Sequence, residues 1–141
     1  MSTAAPTLYE TDETAWLEET ARLVAERRFA EVDADSLSEY LADLAKRDKR
    51  EVKSRLVVLL QHLLKWQHQP DKRTVSWELT VRTQRNELGD LIDVGSLRRH
   101  AEGVLASAYT RAVWDAAKET GLPAATFPAD CPYTVADLLA D

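Results

Sequence analysis

The stretch RLVVLLQHLLKW, residues 55–66, decides the fold class of this sequence. Projected as a helix at about 100° per residue, it places Val57 and Val58 away from one broad side that is covered by five leucines: Leu56, Leu59, Leu60, Leu63 and Leu64. A helix that is apolar nearly all round usually lies at the centre of a bundle. We therefore predict a central helix from about Lys49 to Gln69, which ends before Pro70 because proline disfavours helical geometry in the preceding residue.

The segments before this helix are also predicted to be helical. The whole chain holds only four glycines and five prolines and has almost no alternating β-branched runs. A first helix is expected to begin near Thr11 or Asp12. A second is expected to begin at Ser36, where Ser36 and Glu39 have the spacing of a capping box. We expect a break or sharp bend near Arg47, within the charged run that follows.

The segments after the central helix follow the same pattern. A helix is expected from about Thr74 toward Asp93, and another from Ser96 to Thr120, with Gly121 as a left-handed cap. The tail predicts a proline-rich turn and a short helix capped by Thr134. The sequence thus predicts an all-α, single-domain bundle of about five helices around a central helix. We assign residues 1–10 to a flexible N-terminal segment and residues 11–141 to a single helical domain.

Composition restricts the classes of partner. With 24 acidic and 18 basic residues the formal net charge is -6, so a phosphate backbone is repelled at long range and we do not expect nucleic-acid binding. The basic run at residues 46–55 alternates with acidic residues and lacks aromatic residues that could stack on bases. No window approaches about 18 uncharged apolar residues, so we expect no membrane span. The single Cys131 cannot form an internal disulfide, which indicates a reducing, cytoplasmic setting.

The second half of the central helix, HLLKWQHQP at residues 62–70, suggests a candidate functional cluster. His62 lies beside Trp66 on one flank of the helix, and the core-facing side of the next helix carries polar residues, which are the informative exceptions on such a face. The full cluster contains ten residues: Glu39, Asp43, His62, Lys65, Trp66, Trp77, Thr80, Gln84, Arg85 and Tyr133.

Two interpretations of this cluster stay open. Glu39, Asp43 and His62 could bind a metal, with Lys65 or Arg85 facing an anion. No HExxH motif, Glu-x-x-His pair or Cys cluster supports that site. A hydrogen-bonded structural network is the favoured interpretation, because buried polar groups need partners in any fold. We therefore predict no cofactor. The four tryptophans are interpreted as core anchors or interface residues, and His68 and His100 as surface residues.

A family resemblance emerges from the order of several short motifs: YETDETAW, LSEYLADL, HLLKWQHQP, Ser76-Trp77, ETGLPAATFP and CPYT. In that order they resemble the bacterial family called domain of unknown function 29, from about Leu8 to Leu139. The resemblance implies a small, all-helical, cytoplasmic bacterial protein that stands alone as one domain. It implies no activity, cofactor or catalytic residue. Members of the family typically have a Glu where this chain has Ala42, a departure that weakens the metal interpretation.

Three functions are consistent with the sequence. The leading hypothesis is a protein-interaction or ligand-binding module without catalysis, either a homo-oligomer or bound to another protein, because aromatic residues are plentiful and no nucleophile and base occur at readable spacing. The alternative is a metal-assisted hydrolase or nuclease that uses Glu39, Asp43 and His62. A nucleic-acid-associated regulator acting through residues 46–55 is the third.

Overall fold

The computed structural model describes residues 7–93 and 95–140. Over these residues the chain is helical and contains no β-strand. Six α-helices follow one another: α1 (Leu8–Thr11), α2 (Glu13–Ala25), α3 (Ala34–His68), α4 (Val75–Leu91), α5 (Ser96–Thr120) and α6 (Val135–Leu139). Single 3₁₀ turns occur at Phe29–Glu31, Pro70–Lys72 and Ala124–Thr126. The predicted all-α class is confirmed. Within the domain, Met1–Lys46 and Arg47–Asp141 form two units, which are described separately below.

In the first unit, aromatic packing joins α1, α2 and the start of α3. Trp16 on α2 is buried, and its ring centroid lies 4.6 Å from that of Tyr9 and 5.7 Å from that of Tyr40. Helix α2 begins where expected, with the Asp12 carboxylate accepting from the backbone N–H of Ala15 at 3.0 Å. In the segment predicted to be flexible, residues 1–6 lie outside the described residues, and the remainder contributes the N-cap and first residues of α1.

The start of α3 corrects the predicted capping box. The helix begins at Ala34 rather than Ser36. The Asp33 carboxylate accepts from the backbone N–H of Ser36 at 3.1 Å and from the Ser36 hydroxyl at 2.6 Å. These bonds lower the pKa of Asp33 below its ordinary value. Aspartate caps a helix about as well as serine, so the earlier of two competent caps sets the start and Ser36 lies in the first turn.

The predicted break near Arg47 is also wrong. A single helix of 35 residues runs from Ala34 to His68, and so passes from the first unit into the second. Lysine and arginine have high helix propensity, and an exposed charged run can remain helical without burying a face. The i,i+4 pair of Arg55 and Glu51, at 2.9 Å, adds local support. Two of the predicted helices are therefore one.

The second unit packs around the C-terminal half of α3. Val52, Leu56, Leu59, Leu60 and Leu64 have no exposed surface, as expected for a helix that is apolar nearly all round. Helix α5 meets this core through small side chains, which let helix backbones approach closely. The other fully buried residues of the described chain are Leu88, Ile92, Ala101, Ala108, Ala112, Ala116 and Leu138.

Local capping chemistry sets the helix ends in this unit. The Thr74 hydroxyl accepts from the backbone N–H of Trp77 and starts α4. Gly121 has a φ of 74° and ends α5 in the left-handed region, and Thr134 and Asp137 form a capping box on α6. These three predictions are confirmed. No helix in the described part of the chain is long and apolar enough to cross a membrane.

Candidate functional site

The ten candidate residues are divided between the two units. Glu39 and Asp43 are exposed side chains of the first unit, and the other eight belong to the second. Within residues 7–93 and 95–140, no group of three or more His, Cys, Asp and Glu side chains could hold a metal ion. The candidate site is therefore described from the residues of the second unit, without a metal centre.

His62 is bound by its own helix. Its Nδ1 lies 2.8 Å from the carbonyl oxygen of Val58, one turn earlier on α3. Because that oxygen can only accept, Nδ1 carries the proton and donates it. The half-buried imidazole thereby gains a hydrogen-bond partner without leaving α3.

Lys65 joins three helices of the second unit. Its side chain is buried, with 7% of the residue exposed. The Nζ atom lies 2.6 Å from Oε2 of Glu119 on α5 and 4.6 Å from the centre of the Trp77 ring on α4. The hydrogen bond from Lys65 holds the pKa of Glu119 below its ordinary value, against the opposing effect of burial. The ammonium group expected to face an anion is already paired with a carboxylate of the same chain.

Trp66, the next residue, is held by the connection between α3 and α4. The Arg73 guanidinium lies 4.6 Å from the centre of the Trp66 ring, and its Nε donates to the Trp66 carbonyl oxygen at 2.9 Å. A guanidinium over an indole face is a favourable cation–π contact. The indole is consequently fixed in a half-buried position at the surface.

The polar residues of α4 bind neighbouring helices. The amide oxygen of Gln84 accepts from Arg55 on α3 at 3.3 Å. Arg85 donates from Nε to the carbonyl oxygen of Leu138 at 2.9 Å, which satisfies a C-terminal carbonyl of α6. Thr80 is half-buried on the same helix. Two of these three side chains thus link α4 to another helix of the unit.

The C-terminal turn packs against α3 and α5 through aromatic side chains. The Tyr109 hydroxyl donates to the Pro128 carbonyl oxygen at 2.6 Å. Phe127 is buried, and its ring meets the His68 ring edge-on at 5.0 Å. His68 therefore packs against the turn, which corrects its interpretation as an ordinary surface residue. A histidine two residues before a helix-ending proline gave no sign of this contact in the sequence.

Tyr133 and Cys131 are adjacent groups in this turn. The Tyr133 hydroxyl oxygen is buried and has no hydrogen-bond partner among the described residues. Burial raises the pKa of the Tyr133 phenol, and the neighbouring Cys131 adds to this rise. Burial also raises the pKa of the Cys131 thiol. A thiol that ionises less readily is a weaker nucleophile at neutral pH.

An open cleft lies between α3 and α4, on the side of α4 that carries Arg85. Its volume is about 560 Å³, and its lining consists of Leu63, Trp66, Glu78, Val81, Arg82, Arg85 and Asn86. Only Trp66 and Arg85 were among the ten candidates. Glu78, Arg82 and Asn86 follow one another at intervals of four residues, a spacing that aligns them on one helix face and could have identified the cleft wall from sequence.

A smaller depression lies between α3 and α5. Its volume is about 280 Å³, and it is lined by Gln61, Asp115, Lys118 and Glu119. Glu119 is already paired with Lys65. The larger cleft, with two arginines and apolar side chains in one wall, is the better candidate for binding.

Comparison with known proteins assigns a family. The family model described as Domain of unknown function DUF29 matches residues 8–141. The chain belongs to the DUF29 family. No match was found to a curated protein or to a solved structure. Three motifs by which the sequence resembles DUF29, HLLKW, SW and ETGL, meet at Lys65 through its contacts with Trp77 and Glu119.

Proposed function

We propose that this DUF29 protein is a binding module without chemistry of its own, and that the cleft between α3 and α4 holds its ligand. The observation that carries the proposal is the composition of that cleft. Leu63, Val81 and Trp66 supply apolar surface, and Arg82 and Arg85 supply positive charge beside it. A concave apolar surface with a few convergent polar groups is the usual form of a binding site.

Arg82 is the cleft residue best suited to recognition. It is exposed, and none of the ion pairs found over residues 7–93 and 95–140 includes it. A guanidinium presents several donors in a planar fork that fits a carboxylate or a phosphate. Arg85, by comparison, is anchored to Leu138 and fixes the wall of the cleft.

The intramolecular contacts and the burial of the reactive side chains support a binding function over a catalytic one. His62 donates to a backbone carbonyl, and Lys65 is paired with Glu119. The Cys131 thiol has a raised pKa. General bases and nucleophiles act when they can reach a substrate atom, and these three groups are directed to partners inside the protein or weakened by burial.

A second copy of the chain is a poor occupant of the cleft. A twofold dimer buries the same patch on both copies, so Arg82 and Arg85 of both clefts would be brought into one interface against a single carboxylate, Glu78, from each cleft lining. For a homo-oligomer we propose a different contact surface at Trp114 on α5, whose residue is 60% exposed. Aromatic side chains with this exposure are common at protein interfaces. We also propose a bacterial, cytoplasmic setting; the free Cys131 favours the cytoplasm, where thiols stay reduced.

Affinity capture with paired charge variants tests the proposal. Tagged wild type, Arg82→Glu and Arg99→Glu chains are expressed at equal levels, and the bound molecules are quantified by mass spectrometry. Arg99 is an exposed arginine of α5 outside the cleft lining. We expect a set of ligands retained by wild type and Arg99→Glu and lost from Arg82→Glu. Equal profiles from all three chains would contradict the assignment of the cleft.

A further inference from the structure

A second exposed face of α4 borders the cleft at Arg82 and Asn86. Val75 and Leu79 are 70% and 52% exposed, which is high for large aliphatic side chains. With Arg82 and Asn86 they occupy positions i, i+4, i+7 and i+11 of one helix, so all four lie on a single face. One end of this face is apolar, and the other carries a guanidinium and an amide. We call these four residues the α4 outer face.

The shape of the surface suits a helix. The cleft is a groove between two α-helices, and an amphipathic helix can lay its apolar face into a hydrophobic groove of this kind. The α4 outer face extends over about 16 Å from residue 75 to residue 86, the length of about three helical turns. A peptide that binds by β-strand addition needs the edge of a β-strand to pair its backbone, and residues 7–93 and 95–140 contain no strand.

The charge of the surface selects the type of helix. Two arginines and one carboxylate, Glu78, line the cleft, so an acidic partner is attracted and a basic one is repelled. A nucleic acid fits less well. The cleft lining contains one aromatic side chain, Trp66, beside the aliphatic Leu63 and Val81, whereas binding a single-stranded nucleic acid relies on several aromatic side chains that stack on successive bases.

We propose that the cleft, which the α4 outer face borders, binds an amphipathic α-helix of a partner protein that carries acidic residues along one edge. The apolar residues of that helix contact Leu63, Trp66 and Val81 in the cleft, and one of its carboxylates pairs with Arg82, which belongs to both the cleft lining and the α4 outer face. This inference rests on the proposed function and adds the identity of the ligand class. Helices that dock in this way are recognised through anchors at i, i+3 or i+4, and i+7.

Selection from a displayed library of randomised segments tests the inference. Segments of about 16 residues, long enough for four helical turns, are displayed on yeast and sorted for binding to the fluorescently labelled full chain. We expect enrichment of sequences with an apolar stripe at helical spacing and Asp or Glu beside it. Synthetic copies of the winners should become helical on binding, and should bind Arg82→Glu about tenfold more weakly while Arg99→Glu binds as wild type does.

Several outcomes would overturn the inference. Enrichment of basic or proline-rich sequences, winners that bind Arg82→Glu as well as wild type, or a library with no enriched member would each do so. Binding of a random single-stranded RNA that Arg82→Glu abolishes would do the same. The proposed function and this inference can be told apart. If ligand capture depends on Arg82 but the library yields no acidic helix, the cleft is retained as a binding site and only the helical partner is rejected.

Discussion

Nζ of Lys65 lies 2.6 Å from Oε2 of Glu119, and the lysine is buried while half of the glutamate side chain is exposed. The pair joins the central helix to the C-terminal end of α5, and Trp77 completes the contact from α4. Lys65, the lysine that the sequence suggested could face an anion, therefore has a structural role in the packing of α3, α4 and α5. Lys65 directly precedes Trp66 in the chain, and Trp66 is part of the cleft lining.

Replacing Lys65 should destabilise the protein. Lys65→Ala removes a buried aliphatic stem, an ion pair and a cation–π contact, so we expect a loss of about 2–3 kcal/mol in the free energy of unfolding. Lys65→Met keeps the stem and should lose about 1 kcal/mol. Urea denaturation followed by circular dichroism measures both. Lys53→Ala, at an exposed position of the same helix, is the control; a Lys65→Ala protein as stable as this control would refute the structural role.

The Lys65–Glu119 pair should also give a pH-dependent contribution to stability. The pKa of Glu119 is lowered from the ordinary value of 4.5 in the folded protein. A carboxylate with a depressed folded pKa stabilises the fold above its unfolded pKa and loses that contribution as the pH falls through the folded pKa. Wild type should exceed Glu119→Gln by a few tenths to about 1 kcal/mol at neutral pH, since half of the carboxylate's surface is exposed.

This difference should close as the pH falls below 4.5. Urea titrations of wild type and Glu119→Gln at neutral pH and at about pH 3.5 measure it, and subtracting one protein from the other removes the effect of the remaining carboxylates. A difference that stays constant across this range, or one that appears only in alkali, would show that Glu119 is not the titrating partner.

Two tyrosines of the C-terminal turn should respond oppositely to loss of the hydroxyl. Tyr109→Phe removes the bond to the Pro128 carbonyl and leaves that oxygen unpaired, so we expect a loss of about 1 kcal/mol. Tyr133→Phe removes a buried hydroxyl that has no partner among the described residues, and should be neutral or stabilising by up to about 1 kcal/mol. Thermal unfolding of the two variants compares them. A marked loss for Tyr133→Phe would reveal a hydrogen bond to this hydroxyl.

One glycine inside α5 and one at its C-terminal cap provide a test of that cap. Gly121 has a φ of 74° with open space around the position of a Cβ, so Gly121→Ala should lose about 1 kcal/mol from backbone strain alone. Gly103 lies inside α5, also with open space, and Gly103→Ala should gain about 0.5–1 kcal/mol from helix propensity. Denaturant midpoints distinguish the two. The same sign of change in both variants would be inconsistent with a left-handed cap at Gly121.

The parts of the fold that depend on local chemistry could be predicted from the sequence. Thr74, Gly121 and Thr134 mark helix ends through the backbone groups next to them, and the structure confirms all three. The break near Arg47 was wrong because a charged run is compatible with both an exposed helix and a turn. The sequence offers no local signal that distinguishes an exposed helix from a turn at this position. The high helix propensity of lysine and arginine favours the helix.

The candidate site was harder to predict, because it depends on which helices meet. The partners of Lys65 lie 12 and 54 residues away in the chain, and no periodicity connects them. Arg85 was recognised as a polar residue at the edge of a core face, yet its bond to Leu138 depends on where α6 packs. The cleft wall was missed because Glu78, Arg82 and Asn86 are ordinary surface residue types whose importance comes from the concave surface beside them.

The central claim is that the cleft between α3 and α4 is the binding site, and site-specific photo-cross-linking tests it most directly. A photoreactive amino acid replaces Asn86 in the cleft lining or, as a control, Ser107 on the exposed side of α5. Both chains are irradiated in their host cells, and the adducts are identified by mass spectrometry. We predict discrete adducts from position 86 that are absent from position 107 and disappear when Arg82→Glu is added. Identical adducts from both positions, or none from position 86, would contradict the claim.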